Sequence, residues 1–275
     1  MKALSRIYVG LIIFFLYAPV LVMIAFSFNE SSSVWVFTGF STQWYQSLLT
    51  NSTMLAALEH TLIIAVLSAL ISTVLGTAAA VGIMALRKKI TEKLVMSVTQ
   101  IPMMNADIVT GISLMLLFIF FGRIIGLTES LGFFTVLIAH ITFNLPYVIL
   151  SVMPKLKQTD SNLQEAALDL GCTPLQAFFK VVVPSISTGI VTGLIMSFTL
   201  SLDDFVISYF TCGHYQTLPI IIYNMTKKSV TPDTYALSTL IFIAIFALLI
   251  FYNMLQTKAE KKNAAAIKRF KGAAK

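Results

Sequence analysis

The chain has 275 residues, of which 57% are hydrophobic and 11% charged, against roughly 25% charged in soluble globular domains. So little charge excludes an extended water-facing surface. The net charge of +7, from 19 Lys+Arg and 12 Asp+Glu, does not indicate a nucleic-acid partner, because the basic residues fall in the gaps between apolar runs, which is a topology signal.

Six apolar segments follow in chain order. The first runs from Ile7 to Phe28 without a charge; it is too long for a signal-peptide core and no small-residue cleavage site follows, so it reads as a retained span. The second covers Thr61 to Leu86. The third lies between Lys93 and Arg123 and contains Asp107. Ile108–Gly122 alone is too short to cross roughly 30 Å of hydrocarbon. The span therefore starts upstream and carries Asp107 inside it, or Asp107 sits at a break prepared by Pro102 and Asn105. The fourth covers Gly132–Val152, the fifth Ser187–Tyr209 and the sixth Tyr235–Leu255.

With both termini inside, the inner segments hold sixteen Lys and Arg, seven of them from Lys258 onward, and the outer segments hold three: Arg123, Lys227 and Lys228. That asymmetry predicts cytoplasmic termini and a basic tail anchored on an anionic leaflet. Cys172 and Cys212 then fall on opposite sides, which excludes a disulfide between them, and they lack metal-ligand spacing.

The loop between spans four and five carries helix punctuation. Ser161 and Gln164 fit a capping box. A short helix over Asn162–Leu170 would stop at Gly171. Thr173, Pro174 and Gln176 fit a second capped start, and Pro184 is expected to end that helix. Glu165, Ala166, Ala167, Asp169 and Lys180 are expected at its surface. A small-residue ridge before a tight turn suits insertion into a partner's groove.

This loop resembles the EAA motif of binding-protein-dependent ABC importer permeases: Glu-Ala-Ala, three residues, Gly, nine residues, Ile-x-Leu-Pro. Here Glu165-Ala166-Ala167 is followed by Gly171 and then by Val181-Val182-Val183-Pro184, with Val for Ile and Leu. The likeness covers nearly the whole chain. Phe26-Ser27-Phe28-Asn29, His140-Ile141-Thr142-Phe143-Asn144-Leu145-Pro146 and Ser197-Phe198-Thr199-Leu200-Ser201-Leu202-Asp203-Asp204 resemble polyamine-transport permeases of the PotC-like spermidine/putrescine type.

The resemblance implies an all-α membrane protein with six transmembrane helices in the type I ABC importer permease (MetI-like) architecture. One permease domain would cover 1–275, with a coupling loop at 153–184 and a cytoplasmic tail at 258–275. Glu165, Ala166, Ala167, Gly171 and Pro184 would engage an ATPase. The implied partners are a second permease subunit, a dimer of ATP-binding subunits and an extracytoplasmic polyamine-binding protein, in the bilayer of a bacterial inner membrane. ATP hydrolysis would lie in the separate subunit, so no cofactor and no enzyme activity are expected of this chain.

The substrate argument also stands on the residues. Asp107, Asp203 and Asp204 lie in or at the edges of spans. An Asp at the bilayer centre costs roughly 2.5–3.5 kcal/mol and usually marks a substrate path. No Lys or Arg lies in any proposed span, so a translocated cation would supply the missing partner. Ser197, Ser201, Asp204 and Ser208 are spaced as one polar stripe on a helix. Several separated carboxylates suit a flexible oligoamine, each ammonium being a compact point charge. Protonated aspartates, or pairing with a basic residue of a second subunit, are the alternatives. Trp44 and Tyr45 sit in the first outer segment, where a short helix is expected after Ser41 or Thr42. They read as interfacial anchors or as a face for an amine's methylenes. His140, in mid-span, reads as hydrogen-bonded within the bundle.

No phosphate-binding Gly-rich loop, zinc-protease motif or nucleophile elbow occurs. Another cationic or small polar solute would fit the same permease. A secondary transporter would instead need discontinuous helices in repeated halves and would have no use for the 153–184 loop.

Overall fold

A computed structural model of the chain describes residues 2–31, 33, 36–86, 88–127, 130–160, 162–228, 233–247, 249–250 and 254. The elements are α1 (Lys2–Phe26), α2 (Gln43–Thr50), α3 (Ser52–Met84), α4 (Lys89–Met104), α5 (Asp107–Ile125), α6 (Phe133–Gln158), α7 (Asn162–Asp169) and α8 (Pro174–Ala177). A π-helical turn over Phe178–Val182 follows, then α9 (Val183–Ser185), α10 (Ser187–Asp203), α11 (Val206–Thr211) and α12 (Leu218–Lys228). An apolar helix, α13, spans Asp233–Ala247. Extended pairing among the described residues is limited to an isolated bridge between Asn29 and Phe40.

Among the described residues, four helices are long and apolar enough to cross a membrane: Arg6–Phe26, Ser52–Met84, Asp107–Ile125 and Phe133–Gln158. Pro174–Ser185 and Ser187–Asp203, bent by 70°, make a fifth when counted together. The expected sixth span is described through α13, and its end at Leu255 lies outside the described residues, as do the basic tail and Ser161 of the first capping box.

The chain divides into two compact units, Met1–Leu55 with Ile222–Lys275, and Ala56–Ile221. In the first, α1 exposes Tyr8, Phe14, Phe15 and Leu16, as a lipid-facing span does. Behind it, Asn29 is fully buried and organises the following loop. Its Nδ2 donates to the carbonyls of Ser33 (2.9 Å) and Val36 (2.8 Å), and its Oδ1 accepts from Thr38 N (2.9 Å). Phe28 stacks on Phe40 at 5.1 Å.

The second unit is built on α6 and α10, which run antiparallel in close contact. Small residues permit this. A Cβ on Gly189 would stand 2.9 Å from the Ser151 carbonyl, and one on Gly193 3.2 Å from Val148 Cγ1. A Cβ on Gly76 of α3 would stand 2.7 Å from the same Val148 side chain. Small residues are the usual means of bringing helices together in lipid, where no hydrophobic force drives them.

Three local expectations need correction. The third span does break, at Asn105 and Ala106, whose backbones are extended (ψ 149 and 133); yet its helix continues past Arg123 to Ile125. Pro184 does not end its helix. Proline has no N–H to give the carbonyl four residues back and its ring crowds that carbonyl; the turn widens into π geometry instead, with Val183 N–H bonding to Phe178 O. The chain turns at Ile186, where the 70° bend lies. The fifth span is not one helix. Asp204 is extended (φ −63, ψ 117) between α10 and α11.

Candidate functional site

The 162–184 segment folds as a knob. Helix α7 ends in a Schellman arrangement. Gly171, at φ +89, takes the left-handed position that favours glycine. Gly171 N–H donates to Leu168 O at 2.9 Å and Cys172 N–H to Ala167 O at 3.0 Å, which satisfies carbonyls that would otherwise be orphaned. Thr173 Oγ1 accepts from Gln176 N (3.3 Å) and Gln176 Oε1 accepts from Thr173 N (3.2 Å), the expected capping box with Pro174 at the first position. Glu165, Ala166, Gly171, Lys180 and Pro184 are exposed. Ala167 is not; at 6% exposure it packs inward, because α7 turns this face toward α8 and the π turn.

The polar stripe of the fifth span forms one face despite the break, and that face turns into the bundle. Ser197, Ser201 and Ser208 are buried. The partner of Ser201 and Ser208 is His140 of α6. Its Nδ1 lies 2.6 Å from Ser201 Oγ, and its Nε2 lies 2.9 Å from Ser208 Oγ and 3.3 Å from Asp204 Oδ2. A carboxylate on Nε2 puts the ring proton there and leaves Nδ1 to accept from Ser201, which itself accepts from Ser68 Oγ at 3.0 Å. Asp204 also caps α11, accepting from Ser208 N (2.8 Å) and Ile207 N (3.3 Å).

Asp204 does have a hydrogen-bonding partner in this chain, the imidazole of His140, a side chain that is neither Lys nor Arg. Ser201, His140 and Asp204 have the residue order of a hydrolytic triad, but Ser201 and His140 are each 2% exposed. No acyl group reaches them, and the trio acts as a buried clamp.

The contacts fix a layered register. Ser68, His140 and Ser201 form one layer across α3, α6 and α10, and Gly76, Val148 and Gly193 form another. The layer between them holds Ser72, Asn144 and Ser197, four residues along each helix. Asn144 is wholly buried, with neither amide atom hydrogen-bonded, and Ser197 Oγ is equally unpaired.

Asp203, the last residue of α10, is exposed. Asp107, the first residue of α5, is exposed too. Gly111 packs against Val206, Ile207 and Phe210 of α11, while Ile119 and Arg123 share a pocket with Gly213 and His214. Helices α5 and α11 therefore run in parallel, and Asp107 lies one turn before Gly111 on α5. Trp44, in the first unit, donates its indole N–H to Asn29 O at 2.6 Å, and Tyr45 shares a hydrogen bond with Ser27 (2.7 Å). Helix α2 starts after Thr42, as expected.

Residues 72–263 match the family described as binding-protein-dependent transport system inner membrane component. The chain is 38% identical over 259 residues to the putrescine transport system permease protein PotI of Escherichia coli K12, covering 93% of this chain and 91% of that protein. It is 36% identical over 255 residues to the spermidine/putrescine transport system permease protein PotC of the same strain, covering 92% and 94%. Its fold is similar to that of a bacterial alginate ABC transporter solved with an alginate pentasaccharide-bound periplasmic protein. The TM-score is 0.67 at 18% identity, over 90% of this chain and 91% of that one. Helix breaks alone would also suit a secondary transporter, but the family match decides between the two. The chain is a transport component and not an enzyme, and it belongs to the binding-protein-dependent transport system inner membrane component family of ABC importer permeases.

Proposed function

We propose that this chain is one of two permease subunits of an ATP-driven importer and forms half of a translocation pathway for polyamines of the spermidine/putrescine class. The observation that carries the cargo is the exposed Asp203 at the broken span. At the end of α10 the helix dipole is negative, and the interrupted helix leaves carbonyls without their usual donors. Such half-helix ends favour cations, and Asp203 adds a full negative charge. Asp107, exposed at the start of α5, provides a second carboxylate for a cargo with separated ammonium groups. The names of the relatives point to the same cargo.

In this reading Asp203 and Asp107 face the path. Asp204, Ser201 and Ser197 back it. Six spans leave both termini in the cytoplasm, where the knob docks on an ATP-binding subunit and a binding protein delivers cargo from the opposite side. ATP-driven closure moves the knob and rocks the spans, while modest carboxylate contacts replace hydration and still release.

The test is uptake of labelled putrescine and spermidine by the complete transporter, with competition by unlabelled polyamines and by a neutral sugar. Polyamines should compete and the sugar should not. Asp203→Asn should slow uptake at matched membrane abundance. Competition by the sugar alone, or unchanged uptake by the variant, overturns the cargo reading. A reporter fused after Lys275 should read as cytoplasmic and one near residue 128 as external; the reverse at either site overturns the topology.

A further inference from the structure

We propose that His140 is a positioning residue for the pathway, fastening the two halves of the interrupted helix to α6 and so fixing the direction in which Asp203 leaves the break. The proposal rests on the reading of Asp203 as a pathway residue. The imidazole reaches one group before the break, one within it and one after it: Ser201 in α10, Asp204 between the helices, and Ser208 in α11. Two residues at the break have non-helical or distorted backbones, Asp204 (φ −63, ψ 117) and Phe205 (φ −102, ψ −43). Backbone bonding across such a joint is interrupted, so side-chain bonds from a neighbouring helix decide its angle. The imidazole is 2% exposed, so it meets no cargo itself. Asp203 is bonded in sequence to the clamped Asp204 yet projects outward, exposed. The adjacent acids thus divide the work, one held and one presented.

The other faces of the clamp support this assignment. Ser68 of α3 braces Ser201 at 3.0 Å, and the α11 amides of Ile207 and Ser208 hold Asp204. His140 is the α6 side chain at the break itself; Ser68 of α3 braces the α10 side, while Gly111 of α5 and Thr135 of α6, bonded to Thr211 O, hold α11 farther along. Glutamine has an acceptor and a donor on one planar head, so it can reproduce part of the bridge; leucine can reproduce none.

The experiment uses the full chain in its complete transporter, with Cys172 and Cys212 replaced by serine and Asp203→Cys as a reporter. The probe is a charged methanethiosulfonate reagent, whose reaction rate reports how that position is presented and does not depend on the cargo's identity. Adding His140→Leu should change the rate severalfold, because the break loses its bonds to α6, and His140→Gln should restore much of it. If the leucine variant does not reach the membrane, Ser201→Ala with Ser208→Ala removes two of the three bonds from the other side and should shift the rate in the same direction. An unchanged rate at matched abundance overturns the positioning role. If the rate shifts but polyamine uptake is absent from the parent transporter, the cargo reading fails and the positioning role stands.

Discussion

A Cβ on Gly189 would stand 2.9 Å from the carbonyl oxygen of Ser151, so α10 and α6 meet backbone against backbone. Neither side can yield by a rotamer change. Gly189→Ala should therefore lower stability by about 1–3 kcal/mol, the usual range for overpacking, read as a lower thermal midpoint of the purified protein. Gly82→Ala is the control. Nothing lies within 4 Å of its added methyl, and alanine favours the helix, so that variant should hold or gain stability.

Asn144 has zero exposure and no hydrogen bond to either amide atom. Removing an unpaired buried polar group in favour of an apolar one of similar shape is neutral or stabilising. Asn144→Leu should leave the thermal midpoint unchanged or raise it. A fall equivalent to about 1 kcal/mol or more would mean that an internal water satisfies the amide.

The knob makes a separate prediction. Gly171 holds φ +89, which costs a β-branched residue roughly 1–2 kcal/mol and would undo the turn between α7 and α8. Gly171→Val and the charge reversal Glu165→Lys should each reduce co-purification of the ATP-binding subunit and transport-coupled hydrolysis. Undiminished recovery of that subunit with both variants refutes docking through this segment.

Lys157 at the end of α6 lies 2.8 Å from Glu92 at the start of α4 and holds that carboxyl below its usual range. A depressed folded value means the stabilisation is complete above the unfolded pKa, about 4.3 for Glu. It is lost as pH falls through the folded value. The difference in thermal midpoint between the natural protein and Glu92→Gln should stay constant from neutral pH down to that point and then shrink. Both side chains meet solvent, so added salt should shrink it as well. A difference that grows in acid contradicts the pairing.

Local signals were the most legible part of the chain. Gly171, Thr173, Pro174 and Gln176 act within one or two turns of themselves, and the structure uses each as its residue type suggests. Asn105 likewise marks the end of α4. Pro184 misled because a π turn, which depends on how Phe178–Val182 pack, relieves the clash that would have ended the helix. Ala167 misled because its burial is decided by α8 and the π turn, formed later in the chain. The clamp was least legible. His140 meets Ser201 and Ser208 from 61 and 68 residues away, and no local pattern reports a non-local bond. One local signal did mark the break: Asp204 precedes an apolar run as an N-cap residue does, but the regular serine spacing on either side suggests an unbroken helix.

The bend at Ile186 has a mechanical consequence. The seventeen residues of α10 run from it to Asp203 inclusive, a shaft of about 26 Å at 1.5 Å per residue. Across a 70° elbow, a sideways push on the short arm, Pro174–Ser185, becomes a tilt of the long one. A tilt of about 5° carries the far end of such a shaft roughly 2 Å, comparable to the difference between a made and a broken hydrogen bond. Under the proposed docking of the knob, the elbow would work as a lever whose ratio is set by helix length, and inserting or deleting a turn in α10 would change the stroke delivered to Asp203.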